Sequence, residues 1–111
     1  MAPEKLDPVI HQLVRLRIMA LLNRNRVASF VWVRETLGLT DGNLGSHVSR
    51  LSAAGYVTST RELTRSGFQV RLRITPRGDV AFREYLGTLQ EYLEGKGSAS
   101  RRPASAPERP L

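Results

Sequence analysis

Residues 37–57 constrain this chain more than any other stretch. They run Leu37-Gly-Leu-Thr-Asp-Gly-Asn-Leu-Gly-Ser-His-Val-Ser-Arg-Leu-Ser-Ala-Ala-Gly-Tyr-Val57. The order reads as a turn, a helix capped by Thr40, a glycine stop at Gly55 and the start of a strand. Leu44, Val48 and Leu51 recur at i, i+4 and i+7, which places them on one helical face. Asn43, Ser46, His47 and Arg50 are expected on the opposite face. A face of small, hydrogen-bonding and cationic side chains suits a helix that enters a DNA major groove.

Charge agrees with that expectation. The chain has 111 residues, 17 Lys and Arg against 10 Asp and Glu, and a net charge of +7. At that length one small domain is expected, without a separate effector domain. The excess of cations suits a polyanionic partner. Most of the cations are Arg, which can grip phosphate and guanine edges bidentately. GC-rich coding would produce the same bias. With no cysteine, disulfides, thiolate metal sites and cysteine nucleophiles are excluded. No stretch is as long and apolar as a membrane span or signal segment. The expectation is a soluble, cytoplasmic, nucleoid-associated protein.

The flanking segments fill in an architecture. Asp7-Pro8 reads as a cap and first residue of an opening helix. Ile10, Val14, Ile18 and Leu21 form one apolar stripe there; Val9, Leu13, Leu16 and Ala20 form a second. A second stripe points to a subunit contact, or to a helix wrapped more fully by its own domain. Val27-Ala28 can form a very short strand. Phe30 to Leu37 favours a strand through Val31, Trp32 and Val33, but Ser29 as cap and Gly38 as stop favour a helix. Tyr56 to Leu63 reads as a strand and Thr64-Arg65-Ser66-Gly67 as a turn. Phe68, Val70, Leu72 and Ile74 then alternate with Gln69, Arg71 and Arg73. A β-hairpin with a basic outer surface is expected. Thr75-Pro76 opens a last helix with an apolar face, and Gly95 ends it. Residues 95–111 read as a disordered basic tail of Gly, Ser, Pro and Arg.

Three helices, a hairpin and a long last helix give an α+β, mainly helical fold: a winged helix-turn-helix over residues 1–94. The ordered set of motifs resembles the short winged-helix transcriptional regulators of the MarR/ArsR superfamily. It comprises Leu6-Asp-Pro-Val-Ile-His11 with Arg15 and Ile18, Leu39-Thr-Asp-Gly-Asn-Leu44, His47-Val-Ser-Arg-Leu51, Ala54-Gly-Tyr56 and Thr75-Pro-Arg-Gly78. The resemblance implies DNA binding. The chain departs from the pattern at Gly45, where Ser is usual, at Val48 and at Asp79, where a basic residue is usual.

The candidate double-stranded DNA contacts are Thr40, Gly42, Asn43, Ser46, His47 and Arg50 on the reading helix, with Arg61, Arg65, Arg71 and Arg73 on the wing. Each could instead be merely solvated. Gly42 and Gly45 cost a helix about 1 kcal/mol each relative to Ala; a close approach to DNA or to the neighbouring helix would explain them. His11 is read as structural or interfacial. A homodimer is expected through Leu13, Leu16, Tyr85, Leu89, Tyr92 and Leu93. A protein-interaction module and a nonspecific nucleic-acid binder are the alternatives. Nothing suggests an enzyme: there is no phosphate loop, carboxylate cluster or nucleophile–base pair. No cofactor or metal is expected. A crevice between the dimer helices and the DNA-binding unit could hold a small-molecule effector, which the sequence does not identify.

Overall fold

The computed structural model describes residues 5–95. Seven elements follow in order: α1 (Leu13–Asn25), β1 (Val27–Ser29), α2 (Phe30–Leu37), α3 (Asp41–Ala53), β2 (Val57–Thr64), β3 (Gly67–Ile74) and α4 (Pro76–Leu93). The three strands form one antiparallel sheet in the order β1-β3-β2. The expected tail lies outside the described residues apart from Gly95.

Caps set most boundaries. The Ser29 hydroxyl accepts from the Trp32 amide at 3.0 Å, and Gly38 ends α2 at φ +68°, so the helix prevails over the strand propensity of Val31-Trp32-Val33. Thr40 caps α3 by accepting from the Asn43 amide at 3.1 Å. Thr75 caps α4 by accepting from the Gly78 amide at 2.9 Å, with Pro76 at the first helical position. The N-terminal boundary differs from expectation. Asp7-Pro8 opens only a single turn, in which Val9 and His11 donate back to Asp7. The chain then restarts at Gln12, whose side chain accepts from the Arg15 amide at 2.8 Å and caps α1.

That restart rephases the first helix. The buried stripe is Arg15, Ile18, Met19 and Leu22, at i, i+3, i+4 and i+7. Val14 and Leu21 are only half-buried. These residues meet Leu44, Val48 and Leu51 of α3, Val33 of α2, Leu72 and Ile74 of β3, and Phe82 and Tyr85 of α4. Full burial of each large apolar side chain contributes about 1.5–3 kcal/mol, and this core fixes the roll of α3 about its axis.

The start of α4 is pressed against the chain leaving α3. An added Cβ on Gly78 would lie 2.2 Å from the carbonyl oxygen of Tyr56. The same carbonyl accepts from the Thr75 amide at 3.0 Å, and the Thr75 hydroxyl donates to the Gly55 carbonyl at 2.7 Å. Beside this joint, Asp79 gathers Asn23, Arg26 and Arg83. Arg26 is bidentate on it at 3.1 and 3.2 Å. Arg26 is itself the α1 C-cap at φ +70°, a conformation that costs about 1–3 kcal/mol in a non-glycine residue. Its grip on Asp79 offsets part of that cost.

Candidate nucleic-acid interface

The α3 face opposite the core is open. Gly42, Asn43, Ser46, Ser49 and Arg50 are all exposed. The Thr40 hydroxyl accepts the capping bond from the Asn43 amide, which leaves its own O–H able to donate to a partner at the helix N-terminus. That N-terminus directs unpaired backbone N–H groups outward and favours anions. Asp41 in the first turn does not cancel it, because Arg34 of α2 donates to the Asp41 carboxylate at 2.7 Å. The same contact ties α2 to α3 across the turn. Cβ atoms added at Gly42 or Gly45 would meet nothing within 4 Å. Close packing against a neighbouring helix therefore does not explain these two glycines.

His47 is placed differently from its expected position on the exposed face. It is half-buried at the flank of α3, and its Nδ1 lies 3.2 Å from Nη1 of Arg15 on α1. Burial first, then the charges of Arg15 and Arg50, hold its pKa below the ordinary histidine value. Arg15 is buried, and its Nε also donates to the carbonyl of Val9. This contact was missed in the sequence, although Arg15 sits on the apolar stripe of its helix.

The wing arginines do not share one face. In the β2–β3 register Thr58 pairs with Arg73, Thr60 with Arg71 and Glu62 with Gln69. Arg71 and Arg73 therefore point together to the outer face, as the alternation requires. Arg61 pairs with Val70 and points to the opposite face, where its guanidinium lies 4.5 Å from the centre of the Phe68 ring. The basic outer surface is thus that of Arg71 and Arg73, and Arg61 lies on the other side of the sheet. Arg71 is further occupied: its Nε is 3.2 Å from Glu62, an ion pair whose angle is too bent for a hydrogen bond. Arg65 sits at the tip and is exposed. Leu63 and Phe68 pair across the strands beside it, 73% and 65% exposed.

A profile of the winged helix DNA-binding domain family matches residues 14–93. The chain belongs to this family. An uncharacterised protein of Methanocaldococcus jannaschii is 33% identical over 78 residues, which cover 70% of this chain and 85% of the relative. A transcriptional regulator homologue from Pyrococcus horikoshii has a similar structure, with a TM-score of 0.75 and 30% identity over 78% of this chain and 86% of its own. The transcriptional regulator BldR from Sulfolobus solfataricus shares the fold at a TM-score of 0.63 and 20% identity, over 84% of this chain and 66% of its own. The resemblance to short winged-helix regulators read from the sequence holds. Within the winged-helix family α2 and α3 are the helix-turn-helix and β2–β3 is the wing. The family is described by its DNA-binding domain, and the two structures are those of a transcriptional regulator homologue and a transcriptional regulator.

The residues expected at a dimer contact divide as well. Leu13, Tyr92 and Leu93 are 67%, 46% and 78% exposed. Leu16 and Leu89 are half-buried against the core. Tyr85 is buried within a single chain, where its hydroxyl meets Nδ1 of His11 at 2.8 Å. It therefore serves the core and offers little to a second subunit. An open crevice of about 520 Å³ runs between the N-terminal segment and α4, with Lys5, Asp7, Tyr56, Glu84 and Glu91 among its lining residues. Among the described residues no cluster of His, Cys, Asp and Glu could hold a metal ion, and no helix is long and apolar enough to cross a membrane.

Proposed function

We propose that the protein is a sequence-specific transcriptional regulator that binds duplex DNA as a homodimer, in the cytoplasm, and acts as a repressor by occluding promoters. Residues 41–54 would read base edges in the major groove. The wing, 61–73, would contact backbone or minor groove. The observation that carries this reading is the two-sided α3. Leu44, Val48 and Leu51 are sunk in the core while Asn43, Ser46 and Arg50 stand free on the opposite side. Asn can bond adenine bidentately and Arg can bond guanine or phosphate. Leu13, Leu16, Leu89, Tyr92 and Leu93 on α1 and α4 would join two chains, with their reading helices about one DNA turn apart. Exposed apolar residues on these two helices support that contact. For an effector, the crevice beside α4 has three carboxylates against one ammonium, which disfavours an organic acid.

The test is a titration of the DNA upstream of the protein's own gene against random duplex of equal length, over a salt series, with Asn43→Ala and His47→Ala alongside. The expected result is at least about 10³-fold preference for the upstream DNA, erased by the substitutions. Equal affinity with a steep salt slope would indicate a charge-driven nonspecific binder. No binding at low salt would leave a protein-interaction module.

A further inference from the structure

Arg15 is the one charged residue in the core among the described residues, at 6% exposure. No carboxylate accepts from it in the described chain. Its two contacts are the Val9 carbonyl and the ring of His47. A guanidinium only donates, and it keeps its proton throughout the accessible pH range. The direction of the Arg15–His47 contact is therefore fixed: Nη1 donates and Nδ1 accepts. A neutral imidazole that accepts at Nδ1 carries its hydrogen on Nε2. A doubly protonated ring would set N–H against N–H. The charged groups bearing on the ring are Arg15 from α1 and Arg50 from α3, both cations. Nε2 has no hydrogen bond within the described residues and is not sealed from solvent.

We propose that Arg15 is a positioning residue of the DNA interface, which locks His47 as the neutral Nε2–H tautomer so that α3 offers DNA an uncharged donor. This rests on α3 being the recognition helix. A neutral Nε2–H can address purine N7, guanine O6, thymine O4 or a phosphate oxygen. A free histidine beside phosphate would instead take up a proton on binding, and affinity would climb by up to about tenfold per pH unit on acidification. The lock removes that dependence and leaves recognition constant through the range in which histidine ordinarily titrates.

The experiment is nitrogen-15 NMR of the histidine ring in the full chain from about pH 5 to 8. It is joined to the affinity for a random-sequence duplex at fixed salt over the same range. Wild type, Arg15→Met and the double variant Arg15→Met/His47→Gln are compared. Wild type is expected to show a pyridine-like Nδ1 and a pyrrole-like Nε2, with affinity flat in pH. Arg15→Met keeps the apolar stem but cannot donate. It should mix tautomers and bind about tenfold tighter at the acid end, and the double variant should lose that gain. An Nδ1–H tautomer or an imidazolium in wild type at neutral pH overturns the proposal alone. So does a pH dependence that survives in the double variant. If Arg15→Met does not fold, the wild-type spectra decide. Absence of duplex binding by wild type at low salt overturns the recognition-helix reading and this proposal with it.

Discussion

The same substitution, Gly→Ala, should move stability in opposite directions at two helical glycines. Gly45 lies in the middle of α3, where an added Cβ meets nothing within 4 Å. Alanine there removes the entropic cost of glycine and should stabilise the fold by about 0.5–1 kcal/mol. In a domain of this size that raises the Tm by about 2–8 °C. At Gly78 the helix-propensity gain is similar, but the new methyl would overlap the Tyr56 carbonyl, 2.2 Å from its oxygen and 2.9 Å from its carbon. The neighbour is backbone, so no side chain can swing aside. Moving α4 away would also stretch the 3.0 Å bond from the Thr75 amide to the same oxygen. Overpacking costs about 1–3 kcal/mol and a lost hydrogen bond about 0.5–1.5 kcal/mol. The net loss is about 2–3 kcal/mol, a fall in Tm of about 10–20 °C. Thermal unfolding followed by far-ultraviolet circular dichroism separates the two variants directly. A Gly78→Ala protein as stable as wild type would refute the close approach of α4 to Tyr56. A Gly45→Ala protein that melts early would refute the open space beside α3.

Two further outcomes follow from the charge and apolar distributions. Asp79 accepts from Asn23, Arg26 and Arg83, and the Arg26 hydrogen bonds above all hold its pKa below the ordinary 3.8. A depressed carboxylate pKa gives stability that is fully present above the unfolded value and is lost as pH falls through the folded one. Asp79→Asn should therefore lower the urea midpoint at neutral pH, with a loss that shrinks as acid protonates the depressed carboxyl; an equal loss in acid and at neutral pH would show that the charge is not what matters. The pair Leu13→Glu and Leu93→Glu places carboxylates at two exposed apolar positions of α1 and α4. Sedimentation should show a dimer become a monomer that keeps its helical circular dichroism and whose melting temperature no longer depends on concentration, and a wild-type monomer would remove those helices from the interface.

The elements were legible because caps and stops are local chemistry. Ser29, Gly38, Thr40, Gly55 and Thr75-Pro76 each act within a turn of their own position, and each boundary stands where those residues place it. The start of α1 was not legible. A Pro after an Asp opens a single turn as readily as a helix, and only the packing of Ile10 and the cap at Gln12 decide between them. With α1 starting at Leu13, the spacing of Arg15 to Ile18, Met19 and Leu22 marks it as a core position despite its charge.

The place of His47 follows from its angle on the helix rather than from the class of its side chain. His47 is four residues from Asn43 and four from Leu51, so at 3.6 residues per turn it lies about 40° from each. It stands midway between an exposed position and a buried one, where a ring can reach α1 with one nitrogen and solvent with the other. On the wing, alternation within one strand places Arg71 and Arg73 together, but the face of Arg61 on the other strand depends on the pairing register. Once Val57 stands opposite Ile74, parity puts Arg61 with Val70 and turns it from Arg73. The sequence contains the angle and the parity. The partner strand and the partner helix, which convert them into faces, come only from the packed core.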